Sequence, residues 1–161
     1  MTQSTASLAT AEEDDMCVPL RAQLQDDHDA RGALCTELES MADGLPTLPC
    51  PGRVRRLCNQ IEAVTSFHFR RADAILIAAA AGLDGPPVPE MLERLRDMHV
   101  MDATHGEDLV TVLWDSTARG AVARPGEFGY MLRCFFDGCR RTIALEDTLL
   151  ALIEKEKPHH D

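Results

Sequence analysis

Aromatic residues and long apolar runs are scarce in this chain. Only 4% of its 161 residues are Phe, Trp or Tyr, although 45% are hydrophobic, so the core must consist mainly of Leu, Ala, Val, Ile and Met. That composition favours packed helices over a β-sandwich. The longest apolar run, Ala74 to Ala81, is much shorter than the roughly 18–20 residues needed to span a bilayer. We therefore expect a single helical domain without a membrane partner.

Positive charge and paired cysteine motifs are also lacking. The chain has 16 basic and 27 acidic residues and a net charge of -11, which argues against a nucleic-acid partner. Its six cysteines contain no C-x-x-C pair, which disfavours zinc-finger and thioredoxin-like functions. Residues 1–17 lack the features of a signal peptide. We expect them to form a disordered acidic tail, and the protein to be cytoplasmic with reduced thiols.

The sequence does contain four long segments in which apolar residues recur at helical spacing. Loops rich in Pro and Gly, such as LPTLPCPG, separate them. Long helices joined by short loops predict an all-α, antiparallel up-down-up-down four-helix bundle over residues 18–157, with a frayed tail at 158–161. The four predicted helices run from about Pro19 to Met41, Val54 to Ala81, Val88 to Ser116 and Glu127 to Lys155.

Each of the four apolar stripes also carries a histidine or an acid. His28, His68 and His99 lie on the first three stripes, and Glu146 lies on the fourth. Helix bundles build metal sites from inward-pointing side chains of this kind. Imidazole and carboxylate groups are common ligands of first-row metals. The pattern therefore predicts that these four side chains meet and hold a metal ion.

Other interpretations of the same residues remain open. The three histidines are alternatively hydrogen-bonded core residues without a ligand. His105 is the alternative to His99 on the third stripe, and Glu146 alternatively pairs with Arg140 or Arg141 at the surface. Five of the cysteines have simpler interpretations. Cys35, Cys58 and Cys134 are expected to be small core or boundary residues, and Cys17 and Cys50 are expected to be exposed.

The four stripes together resemble the hemerythrin-like, or HHE cation-binding, family. The resemblance covers about residues 19–156 and implies a hemerythrin-like bundle around a non-haem di-iron centre that binds oxygen, nitric oxide or peroxide. The matching segments are LQDDHDARGALCTELESM, IEAVTSFHFRRADAIL, LERLRDMHVMDATHGEDL and FFDGCRRTIALEDTLLALIEK.

The chain departs from the family pattern at two ligand positions. Ala72 and Thr142 stand where the resemblance implies a Glu and a His. The resemblance then leaves four ligands, which would suit a mononuclear or di-iron site, with zinc as another possibility. These ligands are His28, His68, His99 and Glu146, and the residues that could compensate for the two losses are Asp73, Asp102, Cys139 and Asp147.

Two functions follow from this ligand set. The first is a metal-binding hemerythrin-like protein, with non-haem iron, that binds or senses O2 or NO or handles iron. The alternative is a metal-free bundle that acts as a protein-interaction or regulatory module. A ferritin-like oxidase or peroxidase is disfavoured because the second acid is missing. The partners to consider are a small diatomic ligand, another protein, or a second copy of the chain, with Trp114 as an interface candidate.

Overall fold

The computed structural model describes residues 20–157, and every regular element within that range is helical. The elements form four antiparallel rods, as predicted, and the second rod is interrupted by one π-helical turn. No helix in this range is apolar over a sufficient length to cross a bilayer. The predicted tails at 1–17 and 158–161 lie outside the described residues. The elements are α1 (Leu20–Asp43), α2 (Pro51–Ala63), the π turn (Val64–His68), α3 (Phe69–Ala79), α4 (Val88–Arg119) and α5 (Pro125–Glu156).

Prolines set the beginnings of two helices more tightly than the apolar pattern does. Helix α2 begins at Pro51 and α5 begins at Pro125, so the predicted starts at Val54 and Glu127 were wrong by three and two residues. Proline suits the first helical turn because the N–H that it lacks would have no partner there. At its other end, α4 stops at Gly120, whose φ of 68° lies in the left-handed region that glycine adopts freely.

The apolar core is divided into two clusters along the bundle axis. One contains Leu38, Leu57 and Phe135, and the other contains Leu24 and Leu149. Between them α1, α4 and α5 contribute buried polar side chains, and the second rod contributes Phe69, which stacks on His99. This polar layer is buried, and its least exposed members are Asp27, His28, Arg31, His99, Asp102, Thr142 and Glu146.

The π turn changes which residues of the second rod face the core. A regular α-helix would continue the buried series from Val64 to His68, as the sequence pattern predicts. Because a π turn contains an additional residue, the buried series instead steps from Val64 to Phe69, which is 2% exposed. His68 is therefore only partly buried, and Phe69, one position later, takes the core position that the helical spacing predicts for His68.

Candidate functional site

Glu146 is the centre of the polar layer. Its side chain is fully buried, which confirms that it faces the core as its place on the fourth stripe predicts. Its Oε1 accepts hydrogen bonds from Arg31 Nη1 at 2.9 Å and His99 Nε2 at 3.0 Å. Its Oε2 accepts hydrogen bonds from His28 Nε2 at 2.8 Å and from Arg31 Nη2. Three nitrogen-bearing side chains from α1 and α4 therefore surround one carboxylate from α5.

Arg31 is the member of this group that the sequence reading missed. Its guanidinium is fully buried and binds both oxygens of Glu146, the bidentate geometry that arginine favours with carboxylates. Nη1 also lies 3.4 Å from Thr142 Oγ1, and the guanidinium carbon lies 5.8 Å from the centre of the Phe69 ring. The available signal was a basic residue on an apolar stripe, three positions after His28.

The charge state of Glu146 follows from these contacts. Burial alone would raise the pKa of its carboxyl, because a low-dielectric environment disfavours the charged form. Hydrogen bonds from His28, His99 and Arg31, together with the charge of Arg31, outweigh burial and hold the pKa of Glu146 well below its usual range. The polar layer therefore contains a carboxylate that stays ionised.

His99 connects this carboxylate to a second one. Its Nδ1 lies 2.9 Å from Asp73 Oδ1 while its Nε2 faces Glu146. A ring that donates from both nitrogens is a protonated imidazolium. Burial favours the neutral form, but the two carboxylates outweigh it and raise the pKa of His99. The ring also stacks on Phe69, with 4.4 Å between the centroids and an interplanar angle of 12°.

His68 lies away from this group. Its Nδ1 is 2.7 Å from Asp27 Oδ1, and Arg71 Nη1 is 3.2 Å from the same oxygen. The side chain of His68 is 18% exposed, and none of its ring atoms is hydrogen-bonded to Glu146. The structure thus brings together His28, His99 and Glu146 and places His68 in a separate pair at the edge of the layer. The additional residue of the π turn is the physical reason.

The residues considered as substitute ligands have other neighbours. Asp73 binds the outer nitrogen of His99, and Asp147 Oδ1 lies 3.4 Å from the outer nitrogen of His28. Asp102 is 4% exposed, and its Oδ2 has no hydrogen-bond partner. Cys139 is fully buried. Two of the four therefore orient imidazoles.

The structure also decides two alternatives left open by the sequence, namely Arg140 as the partner of Glu146 and His105 in place of His99. Arg140 pairs with Glu39 at the surface, with 2.6 Å between Nη2 and Oε2, so Glu146 is not its partner. His105 is half-buried and lines a small cleft between α4 and α5. It does not contact Glu146.

A surface cleft of about 360 Å³ lies between the π turn and α4. His99 and Asp73 form part of its lining, together with Phe69. The cleft therefore reaches one edge of the polar layer from solvent. π turns inside α-helices occur often at functional sites, and here the π turn forms part of the wall through Thr65 and Ser66.

As arranged here, the polar layer does not fit a metal cation. Within residues 20–157, no three His, Cys, Asp or Glu side chains are placed so that they could hold one. The central carboxylate is already neutralised by a guanidinium, and the ring nitrogens that point at it donate protons, whereas a metal ligand must present a lone pair. A cation at this position would have to displace Arg31.

Comparison with known families identifies the class of the protein. The profile of the hemerythrin HHE cation binding domain matches residues 20–153, which is most of the chain. The chain therefore belongs to the hemerythrin HHE cation-binding family, a family of metal-binding helical bundles. No curated protein and no solved structure matches it.

Proposed function

We propose that this protein is a hemerythrin-family bundle that uses its own arginine as the central cation and acts without iron as a protein-interaction or regulatory module. The observation that carries the proposal is the fully buried, bidentate contact of Arg31 with Glu146. A permanently charged guanidinium supplies the positive charge that the central carboxylate needs.

The two family positions that are lost support the same proposal. Ala72 is a fully buried small residue in the core. Thr142 is a neutral hydroxyl that accepts a hydrogen bond from Arg31 and donates one to Cys139 O at 2.9 Å. Thr142 thus helps to hold the guanidinium of Arg31 in place. Neither residue supplies a metal ligand, and Thr142 contacts Arg31 instead.

The surface supports a role in protein contacts. Several large hydrophobic side chains are strongly exposed in the part of the chain that the structure describes, with Tyr130 at 70% and Val100 at 68%. Exposed aromatic residues and Met are enriched at protein interfaces. The remaining members of this group are Phe67, Ile77, Met101 and Trp114.

The second candidate function is iron binding through His28, His68, His99 and Glu146, with zinc as an alternative metal and O2 or NO as the ligand. One observation favours it, namely that the Nε2 atoms of His28 and His99 already meet on one carboxylate, at 2.8 and 3.0 Å. This candidate requires Arg31 to leave the layer and His68 to turn away from Asp27. Such a site would use neutral imidazoles, as metal ligands do.

Metal content distinguishes the two candidates. The protein is purified without a histidine tag, loaded anaerobically with Fe(II), separated from free iron and analysed by mass spectrometry. We expect a stoichiometry near zero, and a melting temperature that a chelator does not change, because only a ligand of the folded state shifts it. About one iron per chain in the wild type, lost in both His68→Ala and His99→Ala, would establish the iron function instead.

The interaction role has its own test. If the histidines serve only the internal network, a partner that binds the wild type should still bind a His28→Gln variant that remains folded. Binding that disappears when a chelator is added to the wild type would overturn the metal-free proposal.

A further inference from the structure

The register between α1 and α5 places two buried thiols opposite each other. The two helices are antiparallel, with His28 on Glu146 and Arg31 on Thr142. One turn further along α1 and one turn back along α5, the facing residues are Cys35 and Cys139.

The two thiols are in contact inside the core. Cys35 is 1% exposed and Cys139 is fully buried. The Cys35 sulfur lies against α5, where it donates to Phe136 O at 3.5 Å, one turn before Cys139. A side-chain hydrogen bond between the two thiols shifts the pKa of each.

We propose that Cys35 and Cys139 form a redox-active dithiol, which a peroxide oxidises to a disulfide that cross-links α1 to α5. The inference is independent of the metal question, because neither thiol is hydrogen-bonded to Glu146.

The electrostatic surroundings assign different roles to the two sulfurs. The hydrogen bond from Cys139 lowers the pKa of Cys35, and the charges of Arg140 and Arg31 act in the same direction against the effect of burial. The same hydrogen bond, together with burial, raises the pKa of Cys139. Cys35 is therefore the more readily ionised of the two sulfurs, and the thiolate is the nucleophilic form.

The chemistry has two steps. The Cys35 thiolate attacks one oxygen of hydrogen peroxide, the O–O bond breaks, and the products after proton uptake are a Cys35 sulfenic acid and water. The Cys139 sulfur then attacks the Cys35 sulfur and releases the sulfenic oxygen as a second water, which carries the Cys139 proton. Overall the two thiols lose two hydrogens and one peroxide is reduced to two waters.

The test uses the full chain with three of its other cysteines replaced. In a variant carrying Cys17→Ser, Cys50→Ser and Cys134→Ser, three cysteines remain at Cys35, Cys58 and Cys139. After hydrogen peroxide treatment of the folded protein, we expect the thiol count measured in denaturant to fall from three to one. Peptide mapping should show Cys35 linked to Cys139, and dithiothreitol should restore all three thiols.

Cys58 is the internal control. It is also fully buried in the core, but burial and the nearby Glu62 raise its pKa to about 11, so its thiol should remain. Adding Cys139→Ser to the same background should abolish the cross-link. The unmodified wild type is mapped in parallel, so that the result does not depend on the folding of a variant.

A thiol count that stays at three, a linked peptide that contains Cys58, or oxidation of Cys35 to the sulfinic acid without a link would each overturn the proposal. None of these outcomes depends on metal content, so the dithiol and the metal-free function fail separately.

Discussion

At the residue scale, the decisive feature is the ion pair between Arg31 and Glu146. Both side chains are fully buried, and each is the main counter-charge of the other inside the core. Removing one member of such a pair is far more harmful than replacing both, because the remaining charge is left without a partner.

The first prediction is an asymmetry between single and double substitutions of this pair. Arg31→Met should reduce the free energy of unfolding by about 3–5 kcal/mol, because it leaves Glu146 buried without its main cation. The double variant Arg31→Met with Glu146→Gln should recover a large part of that loss. Urea unfolding of both variants gives the coupling energy.

The matched control is Arg140→Met, which removes the exposed arginine that pairs with Glu39. Because solvent screens that pair, its urea midpoint should stay close to that of the wild type. If Arg31→Met were no more harmful than this control, the central role of Arg31 would be wrong.

The second prediction concerns Gly138, whose missing Cβ makes room for Asp102. A Cβ at this position would overlap the Asp102 carboxylate, with Oδ2 at 2.8 Å. Gly138→Ala should therefore destabilise the protein by about 1–3 kcal/mol. Gly32→Ala, at a helical position with open space around it, should stabilise it by about 0.5–1 kcal/mol.

Thermal unfolding of the two alanine variants is the measurement. Adding Asp102→Ala to Gly138→Ala should relieve the overlap. A Gly138→Ala variant that is as stable as Gly32→Ala would show that the carboxylate can move aside, contrary to this argument.

The single residues also show what periodicity can and cannot predict. The burial of His28, His99 and Glu146 follows from helical spacing alone, and the structure confirms it. Arg31 has the same spacing, but an arginine on a stripe ordinarily extends its charged end to solvent. Its burial depends on a carboxylate more than a hundred positions away in the chain. The spacing of residues within one helix gives no information about such a distant partner.

At the element scale, the π turn decides the composition of the site. The apolar pattern of the second rod is consistent with a plain α-helix, so the sequence reading predicts His68 in the core. The packing of Phe69 against His99, at 4.4 Å between ring centroids, requires the additional residue instead. This tertiary contact overrides the local pattern and was therefore not predictable from it.

The third prediction is that one deletion in this rod is tolerated. Deleting Ser66, which is exposed, brings Phe69 to four positions after Val64, which is α-helical spacing. The buried series can then continue without a π turn, so the melting temperature should change by no more than a few degrees.

Deleting Ala74, an exposed residue of the regular helix α3, is the control. It moves Leu76 and Ala80 out of register with the core and should unfold the second half of the rod. Circular dichroism melting compares the two deletions. Equal losses from both would mean that the π turn has another cause.

At the scale of the whole molecule, the buried network makes the free energy of unfolding fall at both acid and alkaline pH. The pKa of Glu146 is lower in the folded state than in the unfolded chain. Its contribution to the free energy of unfolding is therefore present above pH 4.5, its ordinary pKa, and is lost as the pH falls further. The pKa of His99 is higher in the folded state than in the unfolded chain. Its contribution to the free energy of unfolding is therefore present below pH 6.5, its ordinary pKa, and is lost as the pH rises through the pKa of the folded state.

The fourth prediction is therefore a stability maximum between about pH 4.5 and 6.5, measured as the urea midpoint across the pH range. Glu146→Gln should flatten the acid side of the curve, and His99→Gln should flatten the alkaline side. A wild-type curve that rises steadily from pH 5 to pH 8 would contradict the assignment of His99.

The position of Arg31 has a consequence for how the protein is made in the cell. A bundle that depends on an acquired metal is complete only after synthesis, once an ion has been delivered to it. A guanidinium on α1 arrives with the chain itself and reaches Glu146 as α1 and α5 come together. Under the metal-free function proposed above, the maturation of this family member is uncoupled from metal supply, and its abundance should be the same in iron-starved and iron-replete cells.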